Sequence, residues 1–156
     1  MTPEYYMASA LALAKKAAEI DEVPVGAVVV YENQIIGSGY NQCISLSDPT
    51  AHAEMTALRQ AAAYLGNYRL VDCDLYVTLE PCAMCVGAMV HARIRHLTYG
   101  TPDPRTGAAG TVFNLTDTSC LNHAIVMRPP VLTAACQEIL QDFFKVKRLL
   151  KRKKVI

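Results

Sequence analysis

Apolar and polar positions along the chain follow two periods, one helical and one of strand type. From Thr2 to about Ile20, Tyr5, Tyr6, Ala8, Leu11, Leu13 and Ala14 support an amphipathic helix, with Thr2 as cap and Pro3 at its first position. Val25 to Tyr31 is a β-rich run, Glu32-Asn33 a turn, and Gln34 to Tyr40 an alternating strand whose glycines suggest a bend or a close backbone approach. Asp48-Pro49-Thr50 opens a second helix that reaches about Tyr64 and ends at Gly66-Asn67. Leu75 to Leu79 reads as a buried strand, Pro81 to about Ala92 as a helix, and His96 to Tyr99 as another strand. Thr101 to Gly110 is a loop, Ala124 to Met127 a last strand, and a long helix begins at about Thr133.

The order α-β-β-α-β-α-β-β-α predicts a layered α/β domain with a mainly parallel or mixed sheet. Short connections leave one domain, 1–156, ending in a basic helix of about 133–154. In that helix Ile139, Phe143, Val146 and Leu150 share a stripe expected to be core, while Lys145, Arg148 and Arg152 form another.

Composition narrows the class. The 156 residues are 52% hydrophobic and 19% charged, with mean hydropathy +0.17, which excludes a disordered polyelectrolyte. Apolar stretches such as Val23 to Tyr31 fall short of the roughly 20 residues of a membrane span, and the N-terminus has no secretory pattern, so a cytoplasmic location is expected. Seven of the fifteen Lys and Arg lie in the last twelve residues, leaving eight basic against fourteen acidic residues, a net of −6, in the rest. That asymmetry suits a local site for an anionic partner, or simply a solvated helix end. Six cysteines are too irregularly placed for a disulfide framework, and Cys43, Cys73, Cys120 and Cys136 read as small core or near-surface thiols.

Cys82 and Cys85 differ. Cysteines three apart at a helix start lie on one side and can grip one ion. Alone the pair also suits a redox couple or half of a structural zinc site. His52 shifts the balance, because three ligands define a catalytic zinc with one position left for water, and no second ligand pair completes a closed site. His52 and Glu54 point about 200° apart in a regular helix, so both reach one ion only if His52 sits in an irregular lead-in, which Asp48-Pro49-Thr50 provides. Glu54 would then face the water rather than the metal; its competing role is an exposed first-turn acid serving the helix dipole. Two thiolates and a neutral imidazole cancel the charge of Zn²⁺, so the water is weakly acidified and needs the helix N-terminus and a nearby carboxylate. Such a site can attack an electron-poor ring carbon, protonate a ring nitrogen and release an amine: hydrolytic deamination.

His52-Ala53-Glu54 with Pro81-Cys82-Ala83-Met84-Cys85 resembles the signature of the zinc nucleobase deaminases of the cytidine/deoxycytidylate deaminase superfamily. Pro24 to Val28, Asp48 to Glu54, Asn67 to Leu70, Leu75 to Cys85, Gly87 to Met89, Thr106 to Gly110 and Asp142 to Phe144 are similar to the bacterial tRNA adenosine deaminase branch. The resemblance implies a three-layer α/β/α fold with a mixed five-stranded sheet, a homodimer with one zinc per subunit, and conversion of wobble adenosine to inosine in the anticodon stem-loop of an arginine tRNA. It implies His52, Cys82 and Cys85 as ligands and Glu54 as proton shuttle. Asn41 would contact the target nucleoside, Asp103, Asn122 and His123 would line an anticodon-loop groove, and Phe143 would wall the pocket. Lys147, Arg148, Lys151 and Arg152 are candidates for phosphate contacts that offset the cost of splaying the base out of its stack. No membrane or DNA partner is expected. The rivals are a deaminase of free guanine or cytosine on the same zinc site, and a non-catalytic zinc-stabilised RNA-binding module.

Overall fold

The computed structural model describes residues 1–154; the last two positions of the expected 1–156 domain, 155 and 156, lie outside the described residues. The elements are α1 (Pro3–Glu19), β1 (Gly26–Tyr31), β2 (Gln34–Tyr40), α2 (Ala53–Leu65), β3 (Asp74–Leu79), α3 (Ala83–Ala92), β4 (His96–Thr101), β5 (Val126–Met127) and α4 (Thr133–Lys154). Their order is the expected one. Thr2 caps α1 by accepting from the Tyr5 N–H, and Glu32 and Asn33 both have positive φ (49° and 63°), as a tight primed hairpin turn requires.

The sheet runs β2-β1-β3-β4-β5. β1 is antiparallel to β2 and β3, whereas β3, β4 and β5 are mutually parallel, so the sheet is mixed. Helices α1 and α4 pack on one face and α2 and α3 on the other, completing three layers. Interior strand β1 is buried on both faces, which is why it reads as a continuous apolar run. Ala27 and Val29 join the core under α2 and α3, while Val28 and Val30 pack with Tyr6 of α1.

The β2 glycines serve close approach. A Cβ on Gly37 would stand 2.2 Å from the Ala57 carbonyl oxygen, and one on Gly39 would stand 2.4 Å from that of Ala53. Larger residues would lift α2, and with it His52 and Glu54, off the sheet.

Several expected boundaries move. Helix α2 starts at Ala53 rather than after Thr50, because the Asp48 carboxylate accepts the Thr50 N–H (2.8 Å) and hydroxyl (2.7 Å) and holds those residues in a turn. Helix α3 starts at Ala83, with Cys82 as N-cap in extended geometry. Strand β4 continues to Thr101 and β5 shrinks to two residues. The expected apolar stripe of α4 fails beyond Phe143: Val146 and Leu150 are 55% and 51% exposed, and the buried positions are Cys136 and Leu140. The helix outruns the body it packs against, so spacing alone does not bury its far end. No helix among the described residues is long and apolar enough to cross a membrane.

Candidate metal and catalytic centre

His52 and Cys82 occupy the N-cap positions of α2 and α3, where a short oxygen-bearing side chain ordinarily binds the first free N–H groups. Neither makes such a bond. Their donor atoms turn instead toward each other and Cys85: His52 Nδ1 lies 3.6 Å from Cys82 Sγ and 3.5 Å from Cys85 Sγ. Asn41 does the capping, its Oδ1 accepting the Ala53 N–H at 2.8 Å. That bond locks the end of β2 to the start of α2.

The donor set fits zinc. Tetrahedral bonds of about 2.3 Å to sulfur and about 2.0–2.1 Å to nitrogen give an N···S edge of about 3.6 Å, which the two measured edges match. All three donor atoms lie within 4.8 Å of one another. A fourth protein ligand is absent from this cluster among the described residues, as a catalytic rather than structural site requires.

Proton affinities follow from the crowding. The Cys82 thiol is lowered to about 4, first because Cys85 hydrogen-bonds to it and then through His52, against the opposing effect of burial. The Cys85 thiol is pushed upward by its bond to Cys82 and by burial. One proton shared between two sulfurs accounts for the opposite directions, and a cation between them removes the need for it. The His52 pKa is raised, chiefly by its bond to Cys82. Two helix N-termini converge here and add positive potential that favours thiolate.

Glu54 is the second residue of α2 and only 3% exposed, so the alternative of an exposed dipole-serving acid is excluded. Burial raises its pKa above the ordinary carboxylate value. A carboxylate raised in this way is a stronger proton acceptor than a surface glutamate.

The outer candidates are spread more widely. Asp103 closes its own turn, its carboxylate accepting from the Arg105 N–H (2.9 Å), the Thr106 N–H (3.3 Å) and the Thr106 hydroxyl (3.0 Å). His123 Nε2 lies 2.7 Å from the Ile94 carbonyl oxygen, just past the C-terminal end of α3, whereas the cysteines stand at its N-terminal end. Asn122 is exposed beside it. A ten-residue helix is about 15 Å long, so the fold does not bring these two to the donors of their own chain. Phe143 is half-buried on α4, on the sheet face opposite α2 and α3, and meets Phe144 edge to face. Lys147 pairs with Asp21 and lies 5.6 Å from the Phe143 ring, while Arg148 is exposed.

Two buried acids escaped the sequence reading. Glu80, 2% exposed, accepts from the N–H groups of Asp103 (3.0 Å), Ala109 (3.0 Å) and Thr111 (3.1 Å) and from the Thr111 hydroxyl, anchoring the loop after β4 directly beside Cys82. Gly107 is obligatory there, because a Cβ would stand 2.5 Å from the Glu80 carboxyl carbon. Glu22, also 2% exposed, accepts from the N–H groups of Ile44 (3.1 Å) and Ser45 (2.7 Å) and from the Ser45 hydroxyl (2.9 Å), anchoring the loop before His52. For Glu80 the available signal was a single acid flanked by apolar residues, Leu79-Glu80-Pro81, whereas Glu22, next to Asp21, carries no such signal.

A three-layer fold with a three-donor cluster and a buried carboxylic acid at two helix N-termini defines a zinc-dependent hydrolytic deaminase. Residues 1–101 match the profile of the cytidine and deoxycytidylate deaminase zinc-binding region, and the chain belongs to that family. It is 48% identical over 146 residues to a tRNA-specific adenosine deaminase of Haemophilus influenzae, covering 93% of this chain and 84% of that protein. A structure from studies of A-to-I editing by tRNA:A34 deaminases at the wobble position superposes with a TM-score of 0.84 and 42% identity, over 87% of this chain and 99% of that one. The guanine deaminase of Bacillus subtilis gives 0.64 and 40%, over 71% of each chain.

Proposed function

We propose that this chain converts adenosine to inosine at the wobble position of a tRNA, by hydrolysis at a zinc site built from His52, Cys82 and Cys85. The observation that carries this reading is the likeness to the tRNA-specific adenosine deaminase over 93% of the chain. Residues 1–156 act as one deaminase domain.

Zinc, when held by the three donors, supplies Lewis acidity that makes water a nucleophile at neutral pH. Glu54 takes a proton from that water and returns protons to the ring nitrogen and the departing amine. The carbon–nitrogen bond to the amine breaks, a carbon–oxygen bond forms, and ammonia leaves. Asn41, whose Oδ1 is committed to Ala53, keeps its amide N–H groups for the nucleoside. The walls around this centre are stiffened by Glu22 and Glu80, which limits reorganisation during the reaction.

The partner is the anticodon stem-loop, with the target base splayed out at a cost of a few kcal/mol. Arg148, Lys151 and Arg152, all exposed on α4, supply phosphate contacts that offset it. In this reading Asp103 lines the anticodon-loop groove and Phe143 walls the pocket, whereas Asn122 and His123 line the groove for RNA bound across a second copy. A homodimer is supported by α3, where mid-helix Gly87 has open space at the position of a Cβ. A helical glycine costs about 1 kcal/mol, which close packing of another copy would justify. The protein then works in the cytoplasm with its RNA.

The test is to offer the zinc-loaded protein an arginine tRNA anticodon stem-loop, free adenosine and free guanine. Inosine in the stem-loop, formed at a rate that falls steeply with salt, supports the reading. Turnover of guanine with the stem-loop untouched supports the rival instead.

A further inference from the structure

The loop between β2 and α2 carries a feature that the zinc chemistry does not use. Its tip displays two large aliphatic side chains, Ile44 at 75% and Leu46 at 58% exposure. Gln42 to Ser47 contains no charged residue. Isolated exposed aliphatics are ordinary, but these two share a tip that is held stiffly at both levels.

At the base, the Gln42 N–H donates to the Ala51 carbonyl (2.9 Å), and Asn41 accepts from Ala53, so the loop closes against the residues that flank His52. Within the tip, the Leu46, Ser47 and Asp48 N–H groups donate to the carbonyls of Gln42, Ile44 and Cys43. From below, the buried Glu22 carboxylate takes the Ile44 and Ser45 N–H groups and the Ser45 hydroxyl. Three bonds to one buried carboxylate are more than a solvated surface loop needs.

A basic helix end approaches the loop beside the acids Asp21, Glu22 and Asp48. Asp21, adjacent to Glu22, pairs with Lys147 of α4, which brings the basic end of that helix alongside the loop. Arg148, Lys151 and Arg152 continue from there and are exposed. An apolar, uncharged, rigid tip is thus tied at its base to the residues flanking His52 and, through Glu22 and neighbouring Asp21, adjoins the basic end of α4. That combination suits a single-stranded nucleic acid, whose phosphates meet the ridge and whose bases seek apolar faces. Aliphatic wedges pressed against or between bases are a known means of unstacking them.

We propose that Ile44 and Leu46 pack against the unstacked bases that flank the target nucleotide, making this tip a binding and specificity element for structured RNA. The proposal rests on the RNA deamination reading. Glu22 then acts as a positioning residue, stiffening the backbone so that the two side chains hold the flanking bases apart.

The experiment compares the zinc-loaded wild type with the double variant Ile44→Ser/Leu46→Ser. Affinity for a labelled anticodon stem-loop is read by fluorescence anisotropy, turnover by inosine formation, and subunit mass by sedimentation. The expected result is a loss of stem-loop affinity of about tenfold or more, from the worth of a base contact, with kcat at saturation, zinc content and subunit mass unchanged. The variant Ile44→Phe/Leu46→Phe, which restores an apolar face, should recover the affinity; a merely structural role would not be rescued in this way. Equal affinity of the serine variant and the wild type overturns the proposal while leaving the deamination reading intact. A serine variant that loses mass as well as affinity also overturns it, since the tip would then be a contact between protein copies. A wild type that binds the stem-loop through this tip yet forms no inosine sinks the functional reading but supports the contact. A wild type that does not bind the stem-loop overturns both.

Discussion

His52 Nδ1 stands 3.5 Å from Cys85 Sγ, although thirty-three positions separate the two residues. Two helix starts meet to make that contact, and both give up an ordinary cap to do so. The arrangement predicts one zinc per chain by elemental analysis. Cys82→Ala or Cys85→Ala should each reduce it to a small fraction. Removing the metal with a chelator should abolish turnover and lower the melting temperature, because binding to the folded state alone is stabilising. Full zinc content in Cys85→Ala would contradict this assignment.

Glu80 predicts a structural cost. Replacing it with Ala strands three backbone N–H groups and one hydroxyl that now share its carboxylate. Each buried unsatisfied donor costs about 1–3 kcal/mol, reduced where water enters. Glu80→Ala should therefore lower stability by several kcal/mol and speed hydrogen exchange at Ala109 and Thr111 more than in β1. Uniform exchange across the chain would argue that the acid does not anchor the loop. Gly107→Ala should disturb the same loop, because its Cβ would press on the Glu80 carboxyl group and the Asp103 carbonyl.

Glu22 predicts a pH dependence. Burial raises its pKa, but the hydrogen bonds from Ser45 and Ile44 outweigh burial and leave it below the ordinary 4.5. A lowered folded pKa gives stability that is present above the unfolded value and is lost as pH falls through the folded one. The stability gap between the wild type and Glu22→Gln should thus hold at pH 7 and narrow below about pH 4.5. Urea melts across that range measure it, and a gap that widens on acidification would contradict the sign.

Much of this was legible in the chain. The order of elements, the Glu32-Asn33 turn and the three ligands all rest on local chemistry that survives folding. His52 as the irregular lead-in to α2 followed from Asp48-Pro49-Thr50, and the Asp48 turn is its physical form. What sequence periodicity missed depends on distance through space. Val146 and Leu150 continue an apolar stripe, yet whether a stripe is buried depends on how far the opposing surface extends. Glu22 and Glu80 find their partners in loops more than twenty residues away, which no short window contains. Asn122 and His123 were assigned to an anticodon-loop groove by resemblance alone, and the long loop after β4 sets them by the C-terminal end of α3, a placement no local pattern encodes.

The most direct test of the account is the rate of inosine formation at the wobble position of a tRNA stem-loop by the wild type and by Glu54→Ala, both zinc-loaded. The account predicts full metal content in both and a fall in rate of about 10²–10⁴ or more in the variant, the worth of a positioned proton carrier. Wild-type rates from metal-loaded Glu54→Ala would contradict it.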